Sequence, residues 1–274
     1  MSVLTSAPAA GAPGLKVTQV RVLRSEWTKF RSLRSTMWTL LTALVLMIGI
    51  GALFSAVSAS QYQTFSAAHR ASFDPVSVSL AGTTFAVIAF GVLGVLTISG
   101  EYGTGMIRSS LTVVPRRLPV LWAKLGVFAA VVLVASLAAS FTAFWLGQAL
   151  LSSHQLGVSI TSPGSLRSVV GAALYITVAG LIGVTLGALF RNTAAGIATL
   201  AGVFFVLPPL ADLLPSSVSD HLTQYLPSNA GSAIFGGARD VSNALSPWTG
   251  FAVVCGYAVI LIVAAAWRLR RSDA

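Results

Sequence analysis

Residues 100–124, GEYGTGMIRSSLTVVPRRLPVLWAK, form a segment between two apolar runs that is rich in charge for this sequence, and we call it the charged loop. It contains four basic residues and one acid, namely Arg108, Arg116, Arg117, Lys124 and Glu101. That density is unusual because only 9% of the chain is charged. The length of the loop allows one short helix from about residue 101 to residue 112, followed by a turn at Pro115. We interpret the charged loop as a docking site for a soluble partner.

Residue patterns typical of catalysis and cofactor binding are absent from the sequence. The three histidines, His69, His154 and His221, share no ligand spacing with one another or with Asp or Glu, so no metal site is predicted. The sequence contains no phosphate-binding Gly-x-x-x-x-Gly-Lys-Ser/Thr motif, no Gly-x-Ser-x-Gly and no His-Glu-x-x-His. We therefore expect neither enzymatic activity nor a bound cofactor in this chain.

Long apolar segments must position the charged loop. The 274 residues are 55% hydrophobic and have a mean hydropathy of +0.84. A membrane span needs about 20 apolar residues, and six segments qualify. They cover about residues 37–58, 76–99, 125–151, 169–190, 193–211 and 249–267, and none contains an ionisable Asp, Glu, Lys, Arg or His. Backbone groups in lipid must be bonded within their own segment, so the sequence predicts an all-α integral membrane protein with six transmembrane helices.

Basic residues are distributed unequally between the two sides of these spans. Of the 17 Lys and Arg residues, 14 fall before the first span, in the charged loop, in the turn after span four and at the C-terminus. Arg70, Arg167 and Arg239 occupy the alternate loops. Cytoplasmic loops carry the excess of Lys and Arg, so both termini and the charged loop should be cytoplasmic. The formal charge of +10 thus reflects topology, and we expect no nucleic-acid binding.

The segment before span one predicts an amphipathic helix at the cytoplasmic interface, over residues 17–36. Residues 1–16 precede it as an expected flexible tail, and residues 268–274 form a basic cytoplasmic tail after span six. On a helical wheel Trp27 joins an apolar arc, whereas Lys29 and Arg31 lie opposite it, an arrangement typical of interfacial helices. Glu26 and Arg34 interrupt the apolar arc. Glu26 has two candidate partners, either Lys29 one turn later or a basic residue of the charged loop or of a partner.

Small and polar residues within the spans suggest further contacts. Gly183 and Gly187 form a Gly-x-x-x-Gly pattern that permits close helix approach, either within the chain or at a dimer seam.

Trp145 and Gln148 are expected at the outer interface, and residues 212–247 predict one or two short outer helices that dip into the bilayer. Some side chains are candidates to line a transport pathway, although Ser and Thr in spans more often bond neighbouring helices. These candidates are Thr83, Thr84, Thr97, Phe204 and Phe205.

Taken together, these features resemble the membrane-spanning permease of ABC exporters of the second type. The resemblance rests on Glu26-Trp27-Thr28-Lys29 before span one, Glu101-Tyr102 and Pro115-Arg116-Arg117 at the ends of the charged loop, Phe190-Arg191 after span four, and the six-span layout. It implies alternating access in the cell's inner (plasma) membrane. It also implies a second permease copy, identical or related, and two cytoplasmic ATPase subunits that bind ATP and Mg.

The same resemblance assigns expected roles to residues of the two cytoplasmic elements. Residues 101–111 correspond to the coupling helix that contacts the ATPase. The candidate ATPase-coupling residues are Glu101, Tyr102, Gly105, Arg108, Arg116 and Arg117, and those of the interfacial helix are Glu26, Trp27, Lys29, Arg31 and Arg34. The alternative function is a membrane assembly, immunity or sensor module without transport, which would bind a cytoplasmic partner through the same charged loop.

Overall fold

The computed structural model describes residues 19–32, 34–103, 117–236 and 244–271. Within these residues the secondary structure is helical, without strands. The helices in chain order are α1 (Gln19–Ser32), α2 (Arg34–Gln61), α3 (Ala67–Ala71), α4 (Pro75–Ser79), α5 (Thr83–Gly103), α6 (Arg117–Ser152), α7 (Ser165–Phe190), α8 (Thr193–Ala201), α9 (Leu207–Asp212), α10 (Ser216–Leu222), α11 (Pro227–Ser232) and α12 (Pro247–Arg271). Short 3₁₀ turns cover Tyr62–Thr64, Thr223–Tyr225 and Ala233–Phe235.

Six helical segments of the described chain are long and apolar enough to cross a membrane. They are Arg34–Thr64, Thr83–Gly103, Leu118–Ser152, Ser165–Phe190, Thr193–Asp212 and Pro247–Arg271. We number them spans one to six. The predicted all-α, six-span fold class is therefore confirmed.

Span four, formed by α7, is the most buried span and lies at the centre of the bundle. It packs on α5, α6 and α12, and its closest approach is to α5. A Cβ atom added to Gly183 would lie 2.1 Å from the carbonyl oxygen of Gly91, and one added to Gly94 would lie 2.3 Å from that of Gly180. The glycines of span four therefore allow close packing within the chain. This is one of the two alternatives predicted for them, the other being a dimer seam.

Span two starts at Thr83, later than the predicted start at about residue 76. The apolar run from residue 76 to residue 99 forms two helices, α4 and α5. Asp74 caps α4 by accepting a hydrogen bond from the Val76 amide, and the chain turns before α5 begins at Thr83. The turn packs tightly on span one, since a Cβ atom on Gly82 would lie 2.0 Å from the Met47 carbonyl oxygen. The helix also continues through Glu101 to Gly103, so span two and the start of the short helix predicted from about residue 101 form one uninterrupted helix.

At the ends remote from Glu101 and Lys124, spans two and three are joined by a buried amide. Gln148 of α6 is only 6% exposed, in contrast to its predicted position in an interfacial belt. Its Nε2 donates to the Pro75 carbonyl and the Ser79 hydroxyl, both at 3.0 Å, and its Oε1 accepts from the Val158 amide at 2.7 Å. Trp145, one turn earlier, is exposed as expected. Buried amides need such partners, so Gln148 fixes α4 and the following loop.

Span five is not a uniform α-helix. Residues Gly202–Val206 form a π-helical turn between α8 and α9, in which the Leu207 amide bonds to the Gly202 carbonyl. Pro208 and Pro209 follow directly and cannot donate backbone hydrogen bonds, so the preceding turn loses two ordinary α-helical bonds. Wider π-turns are common where this ladder is interrupted. The next described residues form α10 and α11, and α11 packs against α12.

Candidate functional site

A cluster of four charged side chains lies where α1, span two and span three meet. Glu26 and Lys29 come from α1, Glu101 from the last turn of α5, and Lys124 from the first turns of α6. We call these four residues the ionic tetrad. Glu26, Glu101 and Lys124 are 5%, 8% and 4% exposed, whereas the Lys29 side chain is 27% exposed. Charged side chains are rarely this buried unless they are paired.

The tetrad is held by short ion pairs centred on Lys124. Its Nζ lies 2.7 Å from Glu26 Oε2 and 2.9 Å from Glu101 Oε1, and it also donates to the Thr97 carbonyl at 3.3 Å. Lys29 Nζ lies 2.7 Å from Glu26 Oε1 and 3.4 Å from Glu101 Oε1. Both partners that the sequence suggested for Glu26 are therefore used, since Lys124 belongs to the charged loop.

The local sequence explains why Glu26 points inward. Val22, Glu26 and Phe30 follow one another at intervals of four residues and are the buried side chains of α1. Val20 and Trp27, on the flank of the predicted apolar arc, are 72% and 49% exposed. The carboxylate therefore lies in the middle of the face that packs on the protein.

The environment shifts the pKa of both tetrad residues of α1. Burial raises the pKa of Glu26, but the ammonium groups of Lys124 and Lys29 outweigh burial and hold it below its ordinary value of 4.5. Burial lowers the pKa of Lys29, but the carboxylates of Glu26 and Glu101 outweigh it and raise the pKa above 10.5. Both side chains are thus charged at neutral pH, as expected for opposite charges in contact.

A second set of contacts connects the end of span two to the turn between spans four and five. The Arg191 guanidinium carbon lies 5.2 Å from the centre of the Tyr102 ring, a cation–π geometry. One turn earlier, the hydroxyls of Ser99 and Thr193 are 2.9 Å apart. Arg191 ends α7 with a left-handed backbone at φ 53°, and Asn192 caps α8 through the Ala195 amide. The Glu101-Tyr102 and Phe190-Arg191 motifs are therefore neighbours in the fold, although Tyr102 and Arg191 are 89 residues apart in the sequence.

A cavity of about 320 Å³ adjoins the ionic tetrad. Three tetrad members, Glu26, Glu101 and Lys124, line it together with side chains of α1 and spans one to three. Thr97, a candidate pathway residue, is part of this lining, but its hydroxyl is bonded to the Leu93 carbonyl at 2.7 Å.

A second cavity, of about 520 Å³, lies between span two, the π-turn of span five and α11. Its lining has no charged residue and is rich in aromatic rings. Three candidate pathway residues, Thr84, Phe204 and Phe205, contribute to it. Thr83 does not line it and is fully buried. Four of the five predicted candidates thus divide between two cavities, and Thr83 lines neither.

The remaining predicted site residues have different positions. Arg31 and Arg34 are exposed, on either side of the junction between α1 and α2. Gly105, Arg108 and Arg116 lie outside the described residues, as does most of the predicted coupling helix. Arg117 is the first residue of α6. The structure therefore describes the two ends of the charged loop, Glu101 to Gly103 and Arg117 to Lys124.

The central role of Lys124 is not among the sequence-based predictions, in which this residue is one of four basic residues of the charged loop. A usable signal was present, because Lys124 is flanked by Trp122, Ala123 and Leu125, and a lysine inside an apolar segment is expected to have a buried partner. Within the described ranges, no three His, Cys, Asp or Glu side chains are close enough to hold a metal ion.

Comparison with protein families matches residues 22–208 of the chain to a family described as ABC-2 family transporter protein. The matched range includes all four residues of the ionic tetrad, the Tyr102–Arg191 pair and the π-turn of span five. No curated protein matches the chain.

Proposed function

The chain belongs to the ABC-2 transporter family, and from this premise we propose that it is the permease of an ATP-driven exporter powered by separate ATPase subunits. The permease itself is a multi-pass membrane transport component. It works as one of a pair, with an identical or related second copy, on two cytoplasmic ATPases that bind ATP and Mg. The inner (plasma) membrane is its location, with both termini in the cytoplasm, because basic residues are concentrated on that side.

The observation that supports this function best is the ionic tetrad at the base of the charged loop. Glu101 and Lys124 flank the loop in the sequence, and their side chains are 2.9 Å apart. Glu26 joins the same pair to α1 at 2.7 Å. A displacement of the loop would therefore move α1, span two and span three together. Rigid connections of this kind are what a pull by a cytoplasmic subunit requires to reach the bilayer.

We assign roles to the candidate residues from their order in the sequence and, where they are described, from their contacts. Arg108 and Gly105, together with Tyr102, belong to the segment that contacts the ATPase, and Arg116 and Arg117 anchor its return to span three. Glu101 is buried, so it holds the base of the loop in the permease, where it carries the motion inward. Tyr102 also contacts Arg191, which extends the connection to spans four and five.

Three side chains of α1 and of its junction with α2 are suited to keep α1 at the cytoplasmic interface. Trp27 is about half exposed, a position suited to the headgroup region, and Arg31 and Arg34 are exposed to anionic lipid or to the ATPase. Glu26 and Lys29 connect this interfacial helix to the loop. Alternating access then consists of rotation of spans one, two and five against the second permease copy.

The neutral cavity between span two and span five is the proposed segment of the transport pathway within one chain. Its aromatic lining favours apolar cargo, and Thr84 supplies a hydroxyl for orientation. The π-turn and the two prolines of span five give this wall a local point of bending, because their hydrogen-bond ladder is incomplete.

The test is co-purification and coupling of the ATPase. Protein extracted from native membranes in mild detergent should recover an ATPase subunit, and cargo should stimulate its ATP hydrolysis. The Arg108→Glu variant should reduce that stimulation by about tenfold, since loss of one partner-contacting charge weakens association by roughly that factor. The matched control, Arg70→Glu in the outer loop, should leave it unchanged.

Two results would contradict the proposal. One is full transport by the permease in the absence of any ATPase. The other is normal stimulation in Arg108→Glu together with loss in Arg70→Glu. Purification of the intact protein without an ATPase, and with no transport, would favour the non-transport module instead.

A further inference from the structure

The cavity beside the ionic tetrad has the composition of a small-molecule site. Its volume of about 320 Å³ is at the lower end of the range of ligand pockets, which is about 300–1,000 Å³. Phe30, Leu93, Leu96 and Val127 form its apolar wall, and the ionic tetrad lies on the polar side. Ligand pockets combine an apolar lining with a few fixed polar groups in this way.

One polar atom of this cavity lacks a hydrogen bond. Glu101 is 8% exposed and lines the cavity, and its Oε1 accepts from both lysines of the tetrad. Its Oε2 is buried and has no hydrogen-bond partner within the part of the chain that the structure describes. A buried carboxylate oxygen without a donor is costly, so a donor that entered the cavity would be bound favourably.

The charges of the tetrad restrict what kind of donor fits. Two carboxylates and two ammonium groups cancel formally, and Lys124 already lies 2.9 Å from the other oxygen of Glu101. An additional cation would leave a net positive charge in a buried cluster, which is unfavourable. A neutral hydroxyl or amide N–H supplies the missing hydrogen bond without changing the net charge.

We propose that this cavity binds a neutral amphiphile through a hydroxyl or amide N–H that donates to Glu101 Oε2, with the apolar part against Phe30, Leu93 and Val127. The ligand chemistry is shared by membrane lipids with an uncharged hydroxyl-bearing end and by small apolar alcohols. The site is separate from the neutral cavity proposed for the transport pathway. Binding requires only the isolated permease, so it is tested independently of the ATPase.

Photo-crosslinking in lipid nanodiscs tests this site directly. A diazirine-labelled 1-decanol should crosslink to the lining segments of α1, α2, α5 and α6. Unlabelled 1-decanol should compete at about tenfold lower concentration than decyl methyl ether, since a hydrogen bond to a charged group contributes about that factor. Decylammonium should compete no better than the ether.

Two variants locate the binding. Val127→Phe fills the cavity and leaves the tetrad residues in place, so it should abolish the specific crosslinks. Val134→Phe adds the same side chain on a lipid-exposed part of span three and should leave them unchanged. Glu101→Gln should reduce the preference for decanol over the ether. For the source of the natural ligand, nanodiscs containing diacylglycerol should lower the crosslinking yield more than nanodiscs containing its methyl ether, in which the one free hydroxyl is capped.

Several outcomes would overturn the proposal. Equal competition by decanol and decyl methyl ether would mean that only water satisfies Glu101 Oε2. Tighter competition by decylammonium would show that the site selects a cation. Crosslinks that persist in Val127→Phe would place the probe elsewhere on the bilayer-facing surface.

Discussion

At the scale of single residues, Lys124 has the greatest effect on the proposed mechanism. Its ammonium group is buried among apolar side chains and bonds to both carboxylates of the tetrad. A buried ion pair is weak evidence for extra stability, because desolvation offsets the attraction. Removing one partner is different, since it leaves an uncompensated buried charge. The tetrad therefore makes the junction of α1, span two and span three depend on all its members.

Replacement of Lys124 by Met should destabilise the protein by about 3–5 kcal/mol, because two buried carboxylates lose their shared cation. The matched substitution Lys29→Met removes a more exposed cation and should cost only about 1 kcal/mol. Both values are measured as free energies of unfolding in mixed micelles. Equal losses in the two variants would show that burial of Lys124 has no energetic consequence.

The stability of this junction should depend on pH at both ends of the scale. The pKa of Glu26 is lowered in the folded protein, so its contribution is present above 4.5 and is lost as the pH falls through the folded value. The pKa of Lys29 is raised, so its contribution is present below 10.5 and is lost as the pH rises through the folded value. Thermal unfolding in detergent should therefore show a plateau between these limits.

The control for this pH profile is the Glu26→Gln variant. Its acidic decline should be smaller than that of the parent protein, because the substituted side-chain amide does not titrate in this range. An unchanged acidic decline would mean that Glu26 does not contribute to the pH dependence.

At the scale of elements, the contact between spans two and four depends on glycines, which have no side chain to keep the two backbones apart. Gly91, Gly94, Gly180 and Gly183 bring the two backbones together along one face. Packing of helices in a membrane relies on such close approach, because lipid provides no hydrophobic drive between helices. Tyr102 lies in the last turn of span two and span four ends next to Arg191, so the relative position of the two spans sets the geometry of this pair.

The Gly183→Ala variant should destabilise the protein by about 1–3 kcal/mol, because its Cβ would lie 2.1 Å from the Gly91 carbonyl oxygen and the helices would have to separate. The control is Gly256→Ala in span six, where no atom lies within 4 Å of the new Cβ. That change should be neutral or stabilising by up to about 1 kcal/mol. The measurement is the melting temperature of each variant in the same detergent. Equal shifts of the melting temperature in Gly183→Ala and Gly256→Ala would contradict close packing of spans two and four.

At the scale of the whole molecule, burial is distributed unevenly among the spans. Spans one, five and six are the least buried, and large apolar side chains such as Leu53, Val206 and Ile260 are exposed on them. These surfaces suit lipid or the second permease copy that we propose. The tetrad and the Tyr102–Arg191 pair lie at one end of the bundle, and Gln148, α10 and α11 lie at the other.

The proposed orientation predicts which end of the bundle faces the cytosol. In a Cys255→Ala background, Gly103→Cys at the tetrad end should react with an impermeant thiol reagent only after the cells are permeabilised. Ser153→Cys at the opposite end should react in intact cells. Both positions are exposed, so access to the reagent depends on the side of the membrane. The reverse labelling pattern would place the charged loop outside and would contradict coupling to a cytoplasmic ATPase.

The sequence alone determined the properties that depend on composition along the chain. Length and hydropathy indicated six helical spans, because continuous apolar segments of about 20 residues have the length of a membrane-spanning helix, which bonds its backbone groups within the segment. The distribution of Lys and Arg predicted the orientation, and loose motifs together with the layout led to the correct family. Glu26 was identified as an unusual acid, with the right two candidate partners.

Only the tertiary structure decided which residues meet. Lys124 could be recognised as central only once α1, span two and span three were packed together, because its partners lie 98 and 23 residues away. The tertiary structure alone also decided three other features. They are the Tyr102–Arg191 contact, the burial of Gln148 and the division of the span-two run into α4 and α5. Hydropathy reports how well a segment tolerates lipid, whereas pairing of polar groups depends on three-dimensional distances that no local pattern contains.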